Sequence, residues 1–152
     1  MIGDQIDVEM FEMEKAECPD ILASGGLGPC IAIGVYDLQS KSGYMMHDPQ
    51  FEEEDLEERI KIIREDYKDL SRLSLFVAGN AFSAGLELGK AGFKGIPRER
   101  IYASRELVIN FLKKYFKDSQ MKVQWLPDNY TGELYLDTST GKFTFESSPE
   151  YH

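Results

Sequence analysis

Cysteine, histidine and tryptophan are scarce in this 152-residue chain, which holds two, two and one of them. Cys18 and Cys30 are too few for a disulfide framework and too far apart for a metal knuckle. That usage fits a reducing compartment, so a cytoplasmic location is expected. Basic residues are outnumbered 17 to 27, which leaves a net charge of −10. A surface of that sign repels phosphate backbones and anionic lipid, so neither nucleic acid nor a membrane is an expected partner. No window approaches 18 apolar residues, and membrane insertion is not expected. Asp4, Asp7 and Glu9 near the start, with no basic flank, argue against a signal peptide. There is no internal repeat and no low-complexity linker. The expectation is one domain over 1–152, with a frayed tail over 147–152.

What is present is a mixture of short apolar runs and amphipathic stretches. Ile6, Val8 and Met10 alternate with acids, then Phe11 and Met13 continue one position out of phase. This reads as a first strand with a bulge, or one buried on both faces. Cys18-Pro19-Asp20 is a turn, and 21–24 a short strand running into glycines. Residues 31–36 have the apolar character of a central strand. A polar turn over 37–43 leads to a returning strand over 44–46 that ends at His47. Leu56, Ile60, Ile63, Tyr67 and Leu70 recur at helical spacing, with acids in the first turns and bases later. The acidic run over 52–58 reads as the solvated face of that helix. A strand follows over 74–78, then a short helix over 81–90 weakened by Gly85 and Gly89. Residues 96–100 read as a turn into a short strand over 101–103. Ser104 reads as the cap of a second helix with a buried stripe of Leu107, Val108, Phe111, Leu112 and Tyr115. A strand over 121–126 and a closing hairpin, 132–136 with 142–146, complete the chain. The sum is an α+β fold, with layered mixed, antiparallel-rich β-sheets and two main helices.

The chemistry concentrates in Ser24-Gly25-Gly26-Leu27-Gly28-Pro29-Cys30 and in His47, seventeen residues further on. A hairpin across 37–43 would bring residues after Cys30 opposite residues before His47. A thiol needs a base to become a nucleophile, and His47 is the credible one. Glycines before the nucleophile can aim backbone N–H groups, at Gly28 and Cys30, toward a developing oxyanion. Ser24 could accept from the imidazole and fix its tautomer. Other readings stand beside this one. Cys30 can be a small buried hydrophobe at a strand start. Cys30, His47 and Asp48 could hold a metal, although no paired ligands occur at metal spacing. Cys18 could be a redox partner. The glycine turn lacks the Lys-Ser/Thr of a phosphate loop and the dinucleotide fingerprint. No cofactor is called for.

Ser24, Cys30 and His47 at these offsets resemble the CheD family of chemoreceptor glutamine deamidases, in which a Thr stands six residues before the nucleophilic Cys and a His seventeen after it. Gly79-Asn80-Ala81 resembles the family's Gly-Gly-Ala after a strand. The stretch over 96–101 resembles its Gly-Glu-Arg-Asn turn, and 132–146 its closing hairpin. This chain has Ser24 in place of the Thr, Pro29 in place of a Ser or Thr, and Asp48-Pro49-Gln50 in place of an apolar stretch ending in Leu-Pro.

The resemblance implies layered sheets and a protein-glutamine deamidase. Cys30 would be its nucleophile, His47 its base and Ser24 the orienting residue. Gly25, Gly26, Gly79 and Asn80 would be substrate-loop candidates. It implies a protein substrate with accessible Gln side chains, such as chemoreceptor helices, and a signalling phosphatase as a further partner. Two other functions fit the same residues: a non-catalytic module that docks a signalling partner, and a cysteine hydrolase acting on a small amide.

Overall fold

All seven residues of the strand Ile31–Asp37 are buried, and so are all seven of Ser42–Asp48. Strands buried on both faces need cover on both sides. The computed structural model, which describes residues 2–83 and 97–150, shows how that cover is supplied. The described strands and α-helices are β1 (Gln5–Asp7), β2 (Met13–Glu17), β3 (Ile21–Ser24), β4 (Ile31–Asp37), β5 (Ser42–Asp48), α1 (Glu53–Asp66), β6 (Leu73–Gly79), α2 (Arg98–Leu112), β7 (Met121–Trp125), β8 (Tyr130–Asp137) and β9 (Lys142–Pro149). They form a five-stranded sheet, β2-β5-β4-β6-β7, and a four-stranded sheet, β1-β3-β8-β9. Most neighbours are antiparallel, and the β1–β3 and β6–β7 pairs are parallel. The fold is α+β, in three layers.

One face of the larger sheet carries Ile31, Ile33, Val35, Tyr44, Met46, Leu75 and Val77. These pack on Leu56, Ile60 and Ile63 of α1 and on Val108, Phe111 and Leu112 of α2. The other face carries Ala32, Tyr36, Met45, Phe76 and Ala78, which pack on Leu22, Leu134 and Leu136 of the smaller sheet. The sheets meet closely at Gly34, where a Cβ would come within 2.4 Å of the Phe143 ring.

Five expectations change. The first strand is two strands in different sheets. Its break falls at the phase slip, where Phe11 takes a φ of +72° and the chain crosses from one sheet to the other. Residues 101–103 are not a strand, because α2 starts at Arg98 behind Pro97. Ile101 and Ser104 continue the buried stripe of that helix, so Ser104 caps nothing, and its Oγ lies against Arg100 O at 3.4 Å. Leu107, placed in the stripe by spacing, is 39% exposed. The tail over 147–149 is ordered into β9, and Glu150 continues it with its N–H on Asn129 O. Of the helix expected over 81–90, residues 81–83 are irregular and the rest lie outside the described residues.

Candidate active site

The β4–β5 hairpin delivers two of the site residues. Its register pairs Ala32 with His47 and Ile31 with Asp48. Paired residues in an antiparallel ladder share a face, as do residues two apart along a strand. Cys30 therefore lies on the same face as Ala32 and His47, diagonal to the imidazole. That face is the one covered by the smaller sheet, and Cys30 belongs to the core between the sheets. Ser24, the last residue of β3, comes from the opposite layer. It shares the inward face of Leu22 and is 1% exposed. Ser24 and His47 are thus brought together across the sandwich, while the Cys30 thiol shares the sheet face of His47 without a hydrogen bond to the imidazole.

The contacts fix the state of the imidazole. Ser24 Oγ lies 2.7 Å from His47 Nδ1 and donates to Val8 O at 3.0 Å. The same carbonyl is 3.2 Å from Nδ1. A carbonyl can only accept, and the serine hydrogen is already on it, so Nδ1 carries the ring hydrogen and shares it between Ser24 Oγ and Val8 O. In the neutral ring the free lone pair is then on Nε2. That atom is buried and, among the described residues, has no hydrogen-bond partner. Leaving a buried polar atom unpaired costs about 1–3 kcal/mol. The segment around Val8 also grips the histidine backbone. Phe11 N–H donates to His47 O at 2.7 Å, and His47 N–H to Glu12 O at 3.1 Å.

Electrostatics favour the neutral pair at rest. Burial pushes the Cys30 thiol up to about 12, and the Asp48 carboxylate adds to the rise. Burial holds His47 below its ordinary value, against smaller opposing effects of Val8 O and Glu9. Cys30 is 1% exposed.

Asp48 takes no part in the cluster. It occupies the other face of the sheet, where its carboxylate meets Arg59 at 3.6 Å and accepts from Gln50 N–H. Cys30, His47 and Asp48 therefore cannot converge on one metal. Among the described residues, no group of three or more His, Cys, Asp or Glu could hold a metal ion.

The glycine loop divides in two. Gly25 and Gly26 are exposed, and a Cβ at Gly26 or Gly28 would meet nothing within 4 Å. Open space therefore lies on that side of the loop. A Cβ at Gly25 would touch the Glu133 side chain. The carbonyls of Gly28 and Cys30 are held by Ala81 N–H and Asn80 N–H. The Gly28 and Cys30 amides remain as the oxyanion candidates, since Pro29 has none.

Gly79 and Asn80 do not line an open loop. A Cβ at Gly79, whose φ is +110°, would sit 2.3 Å from Cys30 O. Asn80 is fully buried and left-handed, with a φ of +61°. Its side chain donates to Ile101 O at 2.8 Å and accepts from Arg105 Nε at 2.6 Å. Arg105 Nη2 also reaches Asn80 O and Leu126 O. The pair supports the backbone of Cys30 from behind. Cys18 is exposed and belongs to another region, with its N–H on Lys41 O and its thiol 3.8 Å from Ser139 Oγ.

Sequence reasoning missed Val8 and Arg105. Val8 acts through its carbonyl, which leaves no mark in a sequence. Arg105 stands in a helix whose first turns read as strand. Compared with known proteins, the chain matches no family model and no curated protein.

Proposed function

We propose that the chain is a cysteine-dependent amidohydrolase acting on glutamine side chains of proteins. The observation that carries the reading is the unpartnered Nε2 of His47, a buried lone pair on the same sheet face as the Cys30 thiol. Such an atom is costly in a core and useful beside a nucleophile. Cys30 Sγ attacks the carboxamide carbon while Nε2 takes the thiol proton. The tetrahedral oxyanion is held by the Gly28 and Cys30 amides. His47 returns the proton to the nitrogen, and ammonia leaves as the C–N bond breaks. Water, deprotonated by His47, then attacks the thioester and yields glutamate and the free thiol.

The raised thiol and lowered imidazole define when this happens. The ion pair is not the resting form, so proton transfer accompanies C–S bond formation once a carboxamide has replaced water in the site. By the resemblance to chemoreceptor deamidases, glutamines presented on receptor-like helices in the cytoplasm are the substrates. The deep burial of Cys30 favours a second reading, in which the domain docks a signalling partner such as a phosphatase without turnover.

Helical peptides each bearing one exposed glutamine provide the test, with conversion to glutamate followed by mass spectrometry. Conversion that is lost in Cys30→Ala and in His47→Leu is the expected result. A wild-type chain that converts no peptide, or a Cys30→Ala chain that converts as well as wild type, would overturn the amidohydrolase reading and leave the docking module.

A further inference from the structure

The two sheets are unequal, and the extra strand lies at one end. In the five-stranded sheet β7 pairs with β6, so that Lys122 stands beside Phe76 and Gln124 beside Ala78. Phe76 and Ala78 face the smaller sheet and belong to the core between the layers. Lys122 and Gln124 share that face, yet both are exposed. The smaller sheet ends one strand short, at β9. Among the described residues β9 pairs with β8 alone, and its other edge is free along Lys142–Pro149.

At the Lys142–Phe143 end of that edge, between it and β7, lies a cavity of about 400 Å³. Its floor is Phe76, its wall is Phe143, and Lys122 and Lys142 stand at its rim. No residue of β8 and no carboxylate lines it, in a chain whose net charge is −10. Phe143 and Phe145 are only partly buried, with ring centroids 5.6 and 6.3 Å from that of Phe76. One more strand on β9 would finish covering this aromatic group and satisfy the open backbone edge.

We propose that this slot takes an extended acidic segment of a partner protein, which adds to β9 as a fifth strand of the smaller sheet. Its inward residues are apolar where they rest on Phe76 and Phe143, and an inward carboxylate at its end meets Lys122, which shares the face of Phe76. Its outward carboxylates meet Lys142, which alternates with the inward Phe143. A second copy of this chain fits less well. Its own β9 would arrive with a five-stranded sheet beneath it, on ground that β7 already occupies. None of Ser24, Cys30 and His47 lines the slot, so the inference stands apart from the proposed reaction.

The probe is a blocked, fluorescently labelled peptide alternating glutamate and valine, titrated into the full chain and followed by anisotropy and by amide NMR shifts. Binding is expected, with shifts confined to β6, β7 and β9. A lysine–valine peptide is expected to bind about tenfold more weakly, as two exposed charge pairs would give. The double variant Lys122→Glu, Lys142→Glu reverses that preference without touching the core. Thr144→Pro, on a chain shown by circular dichroism to be folded, weakens both peptides. Three results would overturn the proposal: no binding of the acidic peptide at millimolar concentration, shifts centred on the 25–30 loop, or sedimentation of the free chain as a dimer that Thr144→Pro dissociates.

Discussion

The β4–β5 hairpin has polar groups at both ends, and the two ends are built to opposite rules. At the turn, Asp37 pairs in register with Ser42 and is 2% exposed. Its carboxylate accepts from Gln39 N–H, Ser40 N–H, Ser40 Oγ at 2.7 Å and Arg72 Nη2 at 2.9 Å. Ser42 Oγ extends the chain to Ser40 and to Tyr67 OH. Every group named there has a partner. At the open end His47 is also buried, yet among the described residues Nε2 has none. A satisfied polar cluster rigidifies a core, and an unsatisfied one costs stability. The difference separates a fully paired polar cluster from one that keeps a buried acceptor unpaired, the acceptor that the proposed reaction uses.

The largest contrast to test is between the cysteines, since one stands at each end. Cys18 is exposed beside the turn residue Lys41, and Cys30 is buried at the open end. At pH 8, iodoacetamide should modify Cys30 roughly a thousandfold more slowly than Cys18 in the free protein, because a thiol at about 12 holds little thiolate. Peptide mass spectrometry gives both rates from one sample. Equal rates would mean that the open end is not the closed, neutral site described above. The raised thiol also sets a stability slope. The folded chain keeps a proton that the unfolded chain releases from its ordinary value of 9.0 upward, so stability falls as pH rises from 9 toward about 12. Cys30→Ala should flatten that fall in urea titrations.

Next in size is the turn end itself. Asp37→Ala strips partners from Ser40 and Arg72 and should cost about 2–4 kcal/mol of stability, read from urea midpoints. Burial raises the Asp37 pKa, but hydrogen bonds from Ser40 and Arg72 outweigh it and hold the carboxyl below 3.8. Its contribution is therefore present above the ordinary carboxylate value and is lost as pH falls through the lowered one.

His47→Leu sharpens the comparison from the other side. It loses the Ser24 bond but also removes the unpaired nitrogen, and the two effects nearly cancel. Stability should change by about 1 kcal/mol or less while turnover disappears. His47 is neutral when folded and titrates below 6.5, so wild-type stability is full above that pH and declines as pH falls toward the lowered value. The variant should lack that decline. A loss as large as that of Asp37→Ala would show the imidazole to be structural.

The hairpin was readable because its signals are local. An apolar run, a polar turn and an apolar return leave few other pairings, and the register follows from the turn. The contact of Ser24 with His47 crosses two sheets, and it was suggested only by the third role that a cysteine–histidine pair calls for and by the family resemblance, with no local pairing signal behind it. Where the sequence misled, two neighbouring elements shared one pattern. Residues 6–13 alternate throughout, but the slip at Met10 and Phe11 marks a crossing between layers, not a bulge. Ile101-Tyr102-Ala103 carries strand-forming side chains, and tertiary burial of Ile101, Ser104 and Val108 draws it into α2. Gly79 and Asn80 were substrate-loop candidates through the resemblance to the family's Gly-Gly-Ala, which says nothing of their burial. They hold left-handed backbone because Cys30 O and Arg105 close on them.

The smallest expected effect concerns Ser24. Without its hydroxyl, Nδ1–H still has Val8 O at 3.2 Å, so Ser24→Ala leaves the proton on the same nitrogen and the lone pair on Nε2. The ring is held by one long bond in place of two. Turnover should drop by about tenfold, with the pH profile unmoved, and stability by about 1 kcal/mol. Ser24→Thr keeps the hydroxyl and should recover most of the rate, provided that its methyl fits beside Leu22. If Ser24→Ala instead shifted the acidic limb of the profile, Ser24 would be setting the basicity of the imidazole as well as its orientation. The open end would then depend on its one short hydrogen bond, as the turn end depends on Ser40 and Arg72.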